Sequence, residues 1–213
     1  MRTACFILLL STTLYGTTVL DRVAVVAGKH VIKQSDIDRD LRVTAFLNNA
    51  PLRFTPEAKR QSAERLIDQE IIRQEITTGN YNRPSEADAV ALERQIIRDR
   101  FGGSEERFRR ALADYGLTEQ ELRQQLLWQL SVLSFIDQRF RAGVLVTDDD
   151  VRKYYEQHLA ELRRQYPGNS SFEALAPKIR DALAGELANK SFEEWLQEAR
   201  KNYRIEYRQG AFE

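Results

Sequence analysis

The two ends of this chain follow a different residue pattern from its middle, and that contrast constrains the fold more than anything else in it. Near the start, residues 22–33 read RVAVVAGKHVIK, two β-branched runs around a Gly-Lys pair. Glycine supplies the positive φ that a type II′ turn requires at its first central position, so the segment predicts a tight hairpin. Near the end, residues 203–208 read YRIEYR, a strict apolar–polar alternation that predicts a half-buried strand. An isolated hairpin is marginal in water, and the last strand has no partner near it in sequence. The economical arrangement pairs the C-terminal strand with the N-terminal hairpin, so that the chain ends close one domain over residues 19–208.

Between these strands the periodicity is helical, and the helices are punctuated by caps. Ser35 with Asp38 reads as a capping box opening a helix to about Phe46, followed by a loop that carries Pro51. Thr55-Pro56 opens the next, with proline at the first helical position, and Gly79-Asn80 ends it. Ser85 with Asp88 caps a third helix, which stops at Gly102-Gly103; Ser104 opens a short fourth one, which Gly116 closes. Thr118 with Glu121 caps a long helix to about Arg141, with Leu122, Leu126, Leu130, Leu133 and Ile136 along one face. Thr147 with Asp150 caps the next. Residues 167–171 (PGNSS) are a linker, and 172–202 read helical, with Leu187 and Trp195 facing inward and Pro177 in the first turn of the main part.

Composition narrows the functional classes. Lysine plus arginine and aspartate plus glutamate number 32 each, so no net field draws the molecule to nucleic acid. Residues 1–18 have the order of a secretion signal: Arg2, an apolar run over 4–10, then small and polar residues. That run is far shorter than the ~18 residues a membrane span needs. Cys5 lies inside this segment and is the only cysteine. A processed chain would therefore have no disulfide, thiol nucleophile or cysteine metal site. Neither His30 nor His158 sits in a metal-ligand pattern, and Asp148-Asp149-Asp150 reads as a helix start favoured by the macrodipole. No cofactor is expected.

Several stretches together carry a family likeness. Residues 21–37 (DRVAVVAGKHVIKQSDI), 65–72 (RLIDQEII) and 146–156 (VTDDDVRKYYE) resemble SurA-like periplasmic chaperones. So do 171–180 (SFEALAPKIR), 192–196 (FEEWL) and 205–207 (IEY). The resemblance implies a mostly α, multi-helix chaperone domain with a small β-sheet made by the N-terminal hairpin and the C-terminal strand. It further implies a periplasmic, ATP-independent holdase for unfolded envelope proteins, outer-membrane β-barrels among them. Relatives carry parvulin-type prolyl isomerase domains where this chain has only the linker 167–171, so enzymatic activity is not expected to carry over. Two alternatives stand beside this reading: a family member with residual isomerase activity, and a dedicated envelope adaptor gripping one partner. No nucleic-acid partner and no stable membrane insertion after signal cleavage are expected.

The candidate client-binding residues are aromatic. Phe54, Phe101, Phe108, Tyr115, Trp128, Phe135 and Phe140 fall at helix ends, in loops or at the margins of apolar stripes. Lining a concave surface together, they would form an apolar patch able to take extended client segments by desolvation.

Overall fold

A computed structural model describes residues 21–212; the expected signal, 1–18, lies outside them. The described residues form strands β1 (Val23–Ala27), β2 (His30–Lys33) and β3 (Ile205–Tyr207). They also form helices α1 (Gln34–Leu47), α2 (Pro56–Thr78), α3 (Glu86–Phe101), α4 (Glu105–Asp114), α5 (Glu119–Arg139), α6 (Asp148–Gln165) and α7 (Phe172–Lys201), with a 3-10 turn at Arg141–Gly143. The protein is thus mostly α with one small antiparallel sheet, in the order β2-β1-β3. The last strand does pair with the first, although it is shorter than residues 203–208.

Gly28 explains how the two ends meet. It takes φ 61° between the paired Ala27 and His30, while Lys29 keeps a negative φ, the combination of a type II′ turn. A Cβ at this position would lie 2.7 Å from the Tyr203 hydroxyl, and the Gly28 amide donates to the Arg204 carbonyl at 2.8 Å. Only a bare backbone lets the returning chain approach this closely.

Most helix starts follow the cap signals. Thr55, Ser104, Thr118, Thr147 and Ser171 each accept a backbone N–H from the first turn, at 3.2–3.3 Å. Ser35 is an exception. β2 runs straight into α1, with the Gln34 amide still bonded to the Arg22 carbonyl at 2.8 Å, so no loop residue intervenes to act as cap. The Lys33 amide donates to Asp36 at 3.0 Å instead, and the Ser35 hydroxyl, already helical, donates to Asp21 at 2.5 Å. Pro177 is also deeper than expected, the sixth residue of α7. The bond it forfeits is to the carbonyl of Glu173, an exposed residue within reach of water.

Packing divides into four clusters. The sheet, α1 and α2 bury Val25, Ile32, Ile37 and Ile67, with Trp195 and Leu196 of α7 against them. The second half of α1 packs with α3, α4 and α5 around Phe46, Phe108, Leu122 and Leu126. A third cluster joins α2, α5 and α7 through Ile72, Ile76, Phe135 and Phe192. The fourth is confined to α6 and the first half of α7, where Val151, Leu162, Leu175 and Ile179 meet, so these two helices form an arm with its own small core. Leu133 and Leu187, expected to face inward, are 62 % and 44 % exposed. α5 turns Trp128, Val132, Phe135 and Ile136 towards α2 and α7, which leaves Leu133 on its outer side.

Polar contacts fasten the returning chain. Arg200 of α7 pairs with Glu64 and Asp68 of α2, and the Tyr207 hydroxyl of β3 donates to Glu64 at 2.6 Å. Burial, with the Glu64 hydrogen bond, pushes the Tyr207 phenol up to about 12. Burial also raises Asp68, against the opposing pull of Arg200. The buried polar residues Asp40, Ser62 and Glu93 are all satisfied: by Arg65, by the Ile37 carbonyl, and by a two-point contact with Arg123 at 2.5 and 2.9 Å.

Candidate functional site

The seven aromatic residues do not form one surface. Phe108 and Phe135 are 0 % and 1 % exposed and sit at the centres of two different clusters. Phe101 and Tyr115 pack on the buried Phe46 at 6.4 and 5.7 Å, in the same cluster as Phe108. Phe140 lies 5.6 Å from Phe135 and 5.8 Å from Phe192. Phe54 alone of the seven is exposed, with the Arg42 guanidinium 5.2 Å from its ring. An amphipathic stripe looks the same in sequence whether it meets solvent or another helix, and here most of the rings meet helices. The expected aromatic cradle is therefore replaced by aromatic cores, and Phe108 and Phe135 are unavailable to a client.

Trp128 has a different setting. It is half-buried beside a cleft of about 240 Å³ bounded by β2, α1, α2 and α5. β2 contributes His30 and Ile32, α1 contributes Asp36, Arg39, Asp40 and Val43, and α2 contributes Leu66, Gln69 and Arg73. From α5 come Glu121, Gln124, Gln125 and Trp128. Helical spacing explains the grouping: Asp36, Arg39, Asp40 and Val43 follow the i, i+3, i+4, i+7 pattern of one face, and so do Glu121, Gln124, Gln125 and Trp128.

The charges lining this cleft are paired. Arg39 bridges α1 and α5, lying 3.3 Å from Glu121 and 3.5 Å from Asp36. Asp40 is held by Arg65, and Arg73 lies 3.0 Å from Glu70 with its guanidinium 4.9 Å from the Trp128 ring. His30 is 3.7 Å from the same Glu70 carboxylate. Glu121 is held below the usual carboxylate range, chiefly because it accepts the Thr118 amide at the start of α5.

What remains uncommitted is amide. No described residue hydrogen-bonds the side chains of Gln69, Gln124 or Gln125. Each offers one carbonyl acceptor and two N–H donors, the same complement of groups as a peptide backbone. With the charges neutralised among themselves and one indole as wall, the cleft suits a neutral, polar, extended ligand better than an ion. These glutamines escaped the sequence reading because Gln124-Gln125 looks like an ordinary solvated helix face. Only the fold sets Gln69 of α2 on the same cleft.

The remaining expected positions are structural. His158 stacks on Tyr154 at 4.1 Å, its Nδ1 2.9 Å from the Tyr154 carbonyl. Asp150 caps α6, and its hydrogen bonds with Thr147 lower its pKa, while Asp148 pairs with Arg180. Among the described residues, no group of three or more His, Cys, Asp or Glu could hold a metal ion, and no helix is long and apolar enough to cross a membrane. No protein-family model matches the chain, and neither does any curated protein.

Proposed function

We propose that the protein is a SurA-like, ATP-independent holding chaperone of the bacterial periplasm, which binds unfolded envelope polypeptides in the cleft between β2, α1, α2 and α5 and performs no chemistry. The observation that carries this reading is the set of three uncommitted glutamine amides facing one cleft beside Trp128. Amide side chains can exchange hydrogen bonds with the backbone of any extended segment, which is common to all clients whatever their sequence. The order of family-like segments along the chain supports the same reading.

The magnitudes suit holding and release. Each amide–backbone hydrogen bond contributes a net ~0.5–1.5 kcal/mol, and one indole contact adds roughly 1–2 kcal/mol. Less the cost of ordering an extended chain, this leaves affinity in the micromolar range or weaker. Release then needs no nucleotide.

The test is suppression of aggregation of several unrelated unfolded proteins by the full chain, beside a Gln69→Ala, Gln124→Ala, Gln125→Ala variant. We expect broad suppression by the parent and roughly tenfold weaker suppression by the triple variant at an unchanged melting temperature. Protection of a single protein and of no other would favour an adaptor instead. Equal potency of parent and variant would exclude the cleft.

A further inference from the structure

A second cavity, of about 290 Å³, lies at the C-terminal end of α1 and shares no lining residue with the glutamine cleft. Phe46, Phe101 and Tyr115 wall it with aromatic rings, Ala111 of α4 adds a small side chain, and Asn49 and Arg100 supply its polar groups. The walls are fixed. Phe46 is 1 % exposed, and the Tyr115 hydroxyl donates to the Ala50 carbonyl at 3.0 Å, tying α4 to the loop after α1.

Arg100 does two things at once. Its guanidinium lies 5.1 Å from the Phe46 ring and 5.6 Å from the Phe101 ring. It also donates to the Phe46 and Leu47 carbonyls at 3.0 and 3.3 Å, satisfying the end of α1. A guanidinium has five N–H groups; those two bonds leave three without a described protein acceptor. The lining contains no carboxylate, so the cation is not neutralised within the cavity. The Asn49 side-chain amide has no described partner either. This is the reverse of the glutamine cleft, where every charge is paired.

We propose that this cavity is a binding subsite for an aromatic side chain that is followed two residues later by Asp or Glu in an extended polypeptide, where residues i and i+2 face the same side. The ring packs against the half-buried Phe101 and Tyr115, above the buried Phe46, where edge-to-face contact is available on more than one side. The carboxylate two residues on takes the free N–H groups of Arg100 in charge-assisted hydrogen bonds, and Asn49 bonds the intervening backbone. The inference rests on the holding function proposed above, because it assumes a polypeptide ligand. It adds sequence preference to a protein whose other cleft has none.

The experiment measures fluorescence anisotropy of acetylated, amidated peptides that differ only at a Phe-Ser-Glu, Phe-Ser-Gln or Ala-Ser-Glu triplet, with the full chain at low ionic strength. Phe-Ser-Glu binds tightest. Losing the ring weakens binding ~tenfold, and losing the charge weakens it ~5-fold, a difference that disappears at high salt. Ala111→Phe fills the cavity and abolishes the ranking while leaving general aggregation suppression in place. The Gln69/Gln124/Gln125 variant keeps the ranking. A parent protein that suppresses aggregation but binds the three peptides alike overturns this subsite and leaves the holding function standing. A ranking without any aggregation suppression overturns the holding function and leaves the subsite. A ranking that survives Ala111→Phe in a variant with parental circular dichroism also overturns the subsite.

Discussion

Replacing Phe135 with alanine separates a structural ring from a client-binding one. Phe135 is 1 % exposed and lies 4.9 Å from Tyr81, 5.5 Å from Trp195, 5.6 Å from Phe140 and 6.3 Å from Phe192. Those rings come from the segment after α2, from α7 and from the end of α5, so this one side chain is where three parts of the molecule meet. A buried phenylalanine removes roughly 150–250 Å² from water, which at ~25 cal/mol per Å² corresponds to roughly 4–6 kcal/mol. The alanine methyl and partial collapse recover some of that, and substitutions of this kind cost ~3–5 kcal/mol. In a domain of this size each kcal/mol lowers the melting temperature by roughly 2–4 °C. A loss of about 4 kcal/mol therefore means a midpoint roughly 8–16 °C lower.

Phe54→Ala is the control. That ring is 39 % exposed and its charged neighbour is Arg42, a cation–π contact of ~0.5–1 kcal/mol at an exposed site, so its melting temperature falls by no more than about 4 °C. Thermal melts by circular dichroism are compared with aggregation suppression measured well below both midpoints. We expect Phe135→Ala to melt early and still protect clients in the cold. A Phe135→Ala protein that melts with the parent yet no longer protects clients would refute the reasoning and put the ring back on the binding surface.

Two further outcomes follow from the helix starts and the arm. Asp88, Asp150 and Glu121 are held below their ordinary values by hydrogen bonds with Ser85, Thr147 and Thr118. A lowered folded pKa contributes stability that is present above the ordinary value, 3.8 for Asp and 4.5 for Glu, and is lost as the pH falls through the folded value. Stability in fixed denaturant should thus decline below about pH 4, less steeply in an Asp88→Asn, Asp150→Asn variant; identical acid limbs would mean these caps do not form in solution. Asp68 has the opposite sign, since its raised value makes its contribution fade as the pH rises above 3.8. In the arm, Leu175→Ala, which removes a side chain 2 % exposed, should abolish hydrogen-exchange protection across 148–185 and leave α1, α2 and the sheet protected. A uniform loss would show that the arm is not a separate unit.

The parts of this fold legible in sequence are those decided locally. A glycine that must take positive φ, a threonine three residues before a glutamate, and a strand with no neighbour each restrict the backbone within a few residues. The hairpin, most of the helix starts and the three-stranded sheet follow from them. Ser35 misled because its capping pattern is real but sits one residue inside a helix that grows directly out of β2, and a ladder bond from Gln34 outweighs a side-chain cap. The aromatic set misled for a different reason. Whether Phe135 meets water or Trp195 depends on where α7 returns, more than fifty residues later, and no local pattern carries that information. The glutamine cleft was illegible for the same reason, since Gln69 and Gln124 become neighbours only when α2 and α5 pack on α1.

The two cavities differ in electrostatics, and on the holding function proposed above that difference bears on release. An unpaired cation in the main cleft would grip acidic segments through charge-assisted bonds and release them only against salt or a stronger anion. Arg39, Arg73 and the carboxylates Asp36, Asp40 and Glu121 are instead engaged with protein partners, so the polar groups of the main cleft without a described protein partner are the glutamine amides, beside Trp128 and apolar side chains such as Leu66. Each of those contacts exchanges for water at small net cost. A client strand that finds a sheet edge replaces a few amide bonds with a continuous ladder of them, and is drawn off without any input of energy. On the holding function proposed above, setting Arg100, which has no carboxylate beside it, in a separate aromatic cavity would let the protein favour some segments on arrival without making the main grip hard to break. Were Arg100 placed in the glutamine cleft instead, preference and retention would rise together, and a holder lacking an energy source could not afford both.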